Sequence, residues 1–163
     1  MKKILLILAI FLLAVFIFSQ FKSGNLFNTN SAQYSSQTRT FQSKNLQFSI
    51  LIPKTAEIKE GQTYVDIKID QMLVDVTRNG TNFSSLEEYT KDFDAKNSVD
   101  INKMEPSIIN GYNVISRQET ANNTKHKIYY IFTTDGWVYT LSTSSESLYD
   151  DLDQIAQSFR YNP

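Results

Sequence analysis

A chain of 163 residues, 41% hydrophobic and 20% charged, has room for one domain and a targeting segment. Its 16 basic and 17 acidic residues leave a formal charge of −1, with no basic surplus to hold a phosphate backbone, so nucleic acid is not an expected partner. The lack of Cys removes disulfides, thiolate metal sites, a nucleophilic Cys and cysteine lipidation, and one His leaves little for a triad or a histidine-rich metal centre.

Met1-Lys2-Lys3 precedes an unbroken apolar run, Ile4–Phe18, followed by Ser19, Gln20 and Phe21. Lysines ahead of such a run read as a secretory signal peptide or a signal anchor. As a helix, Ile4–Phe21 would span roughly 27 Å at about 1.5 Å per residue, close to the roughly 30 Å hydrocarbon core of a bilayer. Ile17-Phe18-Ser19 is a poor small-x-small cleavage site, which favours an uncleaved anchor over a peptide cut near Ser19. Basic residues stay cytoplasmic, so both readings put the rest of the chain outside the cytoplasmic membrane. Lys22–Thr40 is polar and unpatterned, too poor in apolar residues to pack, and reads as a flexible tether.

The folded domain is expected over Phe41–Pro163. Leu46, Phe48, Ile50 and Ile52 alternate with Gln47, Ser49 and Leu51, a strand that Pro53 ends. Thr63–Ile69 places Val65, Ile67 and Ile69 inward, and Asp70-Gln71 turns it into Leu73–Thr77, which Asn79-Gly80 stops. Ser84-Ser85-Leu86-Glu87 has the form of a capping box, Ser at the cap and Glu three later. The helix it starts carries Leu86, Tyr89 and Phe93 at helical spacing. Ser98–Glu105 is ambiguous, and Pro106 is expected to end whatever forms there.

Asn110-Gly111 signals a hairpin between Ser107–Ile109 and Tyr112–Glu119. A polar loop, Thr120–Thr124, leads into two β-rich runs, His126–Phe132 and Trp137–Ser142, around Thr133-Thr134-Asp135-Gly136. Asp-Gly there suggests a tight primed turn. Ile128, Tyr130 and Phe132 make one face of the first run, Tyr129 and Ile131 the other. Both are apolar, so this hairpin belongs mid-sheet, covered on two sides. Ser145–Phe159 reads as a last helix, with Leu148, Leu152, Ile155, Ala156 and Phe159 in one stripe. Asp150, Asp151 and Asp153 crowd its start, where the helix dipole favours negative charge. Strands in series with connections too short for crossovers imply an α+β fold: a mainly antiparallel sheet with two amphipathic helices to cover it.

The FSILIP strand, the SSLEEY helix, the NGY hairpin, an aromatic strand running into DGWVYTL and a final helix ending in SFRY occur in that order over Phe41–Tyr161. This series resembles the PsbP-like family, whose fold is shared with a Ran-binding nuclear import factor and with small bacterial envelope proteins of unknown role. The resemblance implies an α/β/α sandwich with an antiparallel sheet. Photosynthetic members are extrinsic subunits that help retain calcium and chloride at the oxygen-evolving complex. No residue here matches that task, so the resemblance carries the fold and not the photosystem.

Candidate chemistry is sparse. His126 lies between Lys125 and Lys127, and a like charge disfavours protonation, so it reads as a neutral strand-end residue. Asp150, Asp151 and Asp153 offer oxygen ligands to a divalent cation, but Asp150 and Asp151 point about 100° apart on a helix. They read as a solvated face. Asp66, Lys68 and Asp70 read as a polar strand face, and Tyr129, Tyr130, Trp137 and Tyr139 as core rather than a ligand surface. Sequons at Asn79, Asn82 and Asn122 arise readily by chance in a chain this rich in Asn and Ser. No catalytic, cofactor or metal residue is assigned. The expectation is a non-catalytic, membrane-anchored extracytoplasmic domain, with the bilayer meeting Ile4–Phe21, that binds a protein partner or assists an envelope assembly. The alternative is a small-molecule or ion-binding protein with a pocket between sheet and helix.

Overall fold

Short turns join most of the strands, and short turns make antiparallel neighbours. The computed structural model describes residues 37–97, 99–121 and 123–163. The expected membrane helix at 4–21 and the tether up to residue 36 lie outside the described residues. Strands β3 (Glu57–Glu60), β4 (Tyr64–Ile69) and β5 (Met72–Gly80) form one meander, and β6 (Asp100–Ile109), β7 (Tyr112–Ala121), β8 (Thr124–Phe132) and β9 (Trp137–Thr143) a second. Pairing of β5 with β9 joins them into a seven-stranded sheet of order β3-β4-β5-β9-β8-β7-β6, antiparallel throughout. Helix α1 (Leu86–Asn97) bridges the meanders, and α2 (Tyr149–Gln157) follows β9. A three-stranded sheet, order β1-β2-β10, comprises β1 (Thr38–Ser43), β2 (Phe48–Pro53) and β10 (Arg160–Tyr161).

The large sheet is covered on two faces, and β8 shows how. Tyr129 and Ile131 enter the main core with Phe48, Ile50, Tyr139, Leu152 and Phe159, beneath α2 and the small sheet. Ile128 and Tyr130 face the other way, packing with Leu86, Ile115 and Val138 beneath α1. The apolar stripe expected over Ser145–Phe159 is buried, Leu152, Ile155, Ala156 and Phe159 completely, although a 3-10 turn at Glu146–Leu148 precedes α2 and Phe159 lies beyond its end at Gln157. Phe159 stacks on Phe48 at 5.8 Å and tilts against Tyr139 at 4.9 Å, so the core here is aromatic and solid.

Several local expectations need correction. Strand β1 starts at Thr38, inside the stretch read as tether, because Thr38–Ser43 pairs along the full length of β2. The helix cap sits one residue later: Glu88 N donates to Ser85 Oγ at 3.2 Å, while Ser84 N and Oγ donate to the Glu88 carboxylate. Two adjacent serines and two adjacent glutamates allow both registers. Pro106 does not end a segment but lies inside β6. The Thr120–Thr124 loop shrinks to a tight hairpin turn, since Ala121 pairs with Thr124. The Asp-Gly turn is not primed. Gly136 N donates to Thr133 O at 3.2 Å, closing a turn around Thr134-Asp135, and Gly136 takes φ +74° while Asp135 does not take positive φ. Such a loop suits a left-handed glycine after an ordinary turn. The short strands β3 and β10 carry too little pattern to be seen in sequence.

Candidate functional site

Strand β6 is the outer edge of the large sheet, paired only with β7 among the described residues. Every residue of it except Ile109 is exposed. The two-residue turn Asn110-Gly111, at φ +53° and +88°, closes on the pair Ile109–Tyr112. Such a turn makes that pair hydrogen-bonded, so alternate residues Ser107, Glu105 and Lys103 turn their backbone groups toward β7. Met104, Pro106 and Ile108 turn theirs outward. Pro106 is tolerated for this reason: the N–H it lacks would have faced solvent.

The two sides of β6 differ. Met104 and Ile108, 54% and 73% exposed, lie with Pro106 on the side of Arg117 and Ile115, opposite β7 partners that face α1. Lys103 and Glu105 lie on the α2 side and pair with each other at 2.8 Å, both well solvated. Their contact raises the Lys103 pKa and lowers that of Glu105, chiefly through the hydrogen bond between them. An open groove of about 660 Å³ runs along Met104–Ile109, with Ser116, Tyr129 and Gln157 as its floor.

A polar recess of about 150 Å³ adjoins it, lined by Lys103, Glu105, Gln118, Lys127 and Asp153. Its charged groups are already paired. Lys127 Nζ lies 2.6 Å from Asp153 Oδ1 and sits over the Tyr149 ring at 5.4 Å. The Tyr129 hydroxyl donates to the same carboxylate at 2.7 Å. Burial, then that hydrogen bond, pushes the Tyr129 phenol far up, so it stays a neutral donor. The arrangement pins the start of α2 to the sheet. Asp153 therefore belongs to a contact, whereas Asp150 and Asp151 occupy the first turn of α2.

Under α1 lies a second charged group. Arg117, its side chain fully buried, meets Asp94 of α1 at 2.8 Å and Glu119 at 2.6 Å, and donates to the Tyr130 hydroxyl at 3.0 Å. The Glu119 contact is an ion pair without hydrogen-bond alignment. Burial raises the Glu119 pKa, with Arg117 opposing it. The strand register sets Glu119 beside His126. This cluster locks α1 to β7.

The other sequence candidates stay apart. Asp66 faces Asp75 across β4 and β5, with Lys59 at 3.9 Å from Asp66. Asp70 is a turn residue at φ +56° rather than part of the strand face. Tyr129, Tyr130 and Tyr139 are buried, and Trp137 lies under Arg78, 4.4 Å from its ring centre. Among the described residues no three His, Asp or Glu side chains are placed to hold a metal ion, and no helix is long and apolar enough to cross a membrane. Sequence reading reaches only Ser107–Ile109 of β6, as one arm of the Asn110-Gly111 hairpin, and does not find the Arg117 cluster. The signal for the cluster is that Arg117 and Glu119 share one strand face with buried Ile115, at i+2 and i+4.

No family model and no curated protein matches the sequence. Solved structures do. Cyanobacterial PsbP from Synechocystis aligns over 77% of this chain and 92% of its own, at 11% identity and a TM-score of 0.55. A Bacteroides thetaiotaomicron protein aligns over 78% of this chain at 11% identity and a TM-score of 0.52, and this chain spans about half of it, 49%. A Pseudomonas aeruginosa protein of unknown function aligns over 78% of this chain and 99% of its own, at 12% identity and a TM-score of 0.45. The chain has the PsbP-like fold, and at these identities the likeness is one of fold alone.

Proposed function

We propose that this is a non-catalytic, extracytoplasmic PsbP-like domain, held to the membrane by Ile4–Phe21, that binds a protein partner or assists an envelope assembly through strand β6. One observation carries the reading: among the described residues, Met104 and Ile108 stand exposed on the α1 side of a long strand edge that has no outer neighbour, while the core behind them is closed. Apolar side chains on a free strand edge suit an extended segment of another chain, with main-chain bonds for affinity and alternate side chains for specificity. The test is a pull-down of the full-length protein from its own membranes after gentle crosslinking. A recurring partner lost on Ile108→Ser supports the reading, whereas turnover of a substrate that depends on His126 or a domain carboxylate overturns it. Recovery of the protein from the cytoplasmic fraction overturns the anchor.

The polar recess favours a second reading, ion binding between sheet and α2. At about 150 Å³ it is smaller than the roughly 300–1,000 Å³ of small-molecule sites. A thermal shift with simple ions that Asp153→Asn abolishes would support it.

A further inference from the structure

The partner of β6 can be specified more closely from the order of charges along it. Lys103, Met104 and Glu105 read as a charge palindrome: cation, apolar residue, anion. We infer that β6 pairs antiparallel with β6 of a second copy of this chain, about a two-fold axis through Met104. This inference rests on β6 being the binding edge.

Three features of the strand converge on that register. The first is hydrogen-bond phase. Met104 is one of the residues whose backbone groups turn outward, so Met104 opposite Met104 of the second copy makes a hydrogen-bonded pair. The second is charge. Centring on Met104 sets Lys103 against Glu105 of the second copy and Glu105 against its Lys103. Directly opposed unlike charges stabilise a sheet and like charges destabilise it. Centring on Lys103 opposes two lysines, and centring on Glu105 opposes two glutamates. Centring on Pro106 faces two residues that cannot donate. The third feature concerns the two irregularities of β6. The β6–β7 register shifts between Ile101 and Lys103, leaving Asn102 as a bulge. The Met104 register places Pro106 opposite Asn102 of the second copy, so the strand's missing donor meets its bulged position, and the Pro106 carbonyl can still accept.

The Lys103–Glu105 pair within one copy is no obstacle. Both side chains are about 60% exposed, at 62% and 60%, and are free to exchange partners. Pairing covers Met104 and joins two seven-stranded sheets across the axis.

The lack of Cys in the chain supplies a direct test with the full-length protein in its membranes. In Met104→Cys the only thiols of two copies meet across a hydrogen-bonded pair, where Cα atoms lie about 5.5 Å apart, within disulfide reach. Mild oxidation is expected to give a covalent dimer with Met104→Cys and none with Leu73→Cys, an exposed position on β5. Two differently tagged copies should co-purify. Lys103→Glu or Glu105→Lys alone, each setting like charges opposite, should weaken that capture about tenfold. Mixing the two single variants should restore it, as should both changes in one chain. Failure of Met104→Cys to crosslink, or charge variants that co-purify as well as the parent, would overturn the inference. If a photo-crosslinker at Met104 then labels a different protein, the second copy is ruled out and the edge-binding reading survives. If it labels nothing, both fall.

Discussion

The two edges of the large sheet are built in opposite ways. Strand β3 has four residues, Glu57–Glu60, three of them exposed and charged, and its apolar Ile58 packs on the core. It is tied down from outside: Ser43 Oγ donates to Glu60 Oε1 at 2.6 Å, and the Asn45 amide donates to Gly61 O at 3.2 Å. Short length, charge and cover are how proteins blunt an edge against pairing. Strand β6 has ten residues, is held from one side, and exposes Met104 and Ile108. Its Pro106 removes one outward donor and leaves the rest. The first edge is closed by length, charge and cover, whereas the second has only a proline, a lysine and a bulge against pairing along ten residues left uncovered among the described ones.

Strand β6 rides on β7, and β7 is fixed by Arg117, so the largest expected effect lies there. Arg117→Ala strands Asp94 and Glu119 without their cation and should cost about 3–5 kcal/mol in urea denaturation. Replacing Arg117, Asp94 and Glu119 together by Met, Leu and Leu should recover most of that loss. Retention of full stability by Arg117→Ala would break the link between the buried cluster and the open edge.

Gly111 turns β6 into β7 at φ +88°. A side chain there meets left-handed strain, so Gly111→Ala should lose about 1–2 kcal/mol in the same measurement.

The β3 end is sensitive to pH instead. Burial, then the charge of Asp66 across the strand, raises the Asp75 pKa. A carboxyl with a raised folded-state pKa contributes stability that is present below its unfolded pKa and lost as pH rises through the folded one. Thermal melts should therefore show Asp75 costing stability upward from about pH 4. Asp75→Asn should flatten that dependence and gain about 0.2–1 kcal/mol near neutral pH.

The smallest stability effect should fall on the functional residue. Ile108→Ser ought to stay within about 0.5 kcal/mol of the parent while abolishing binding at β6.

What could be read in sequence was what is local. The α2 stripe, the alternation in β2 and β4, and the Asn110-Gly111 turn are set by neighbours a few residues away. The positions of Leu152, Val65 and Gly111 follow directly. Pro106 reads as a stop in sequence because a proline inside a paired strand removes a ladder bond. Only the strand order reveals that its missing donor faces outward. The Asp94–Arg117 contact joins α1 to β7 across a separation of 23 residues, which no local pattern encodes. Asp153 likewise looks like a solvated helix charge until Lys127 and Tyr129 are brought against it.

The central claim is that β6 is the working edge. The direct test places a photo-crosslinking residue in the full-length protein at Ile108, and separately at Leu73 and Leu51, exposed apolar positions away from β6. Irradiation in native membranes should give a discrete protein adduct at Ile108 and none at Leu73 or Leu51. Equal labelling at all three positions, or no adduct at Ile108, would contradict the account.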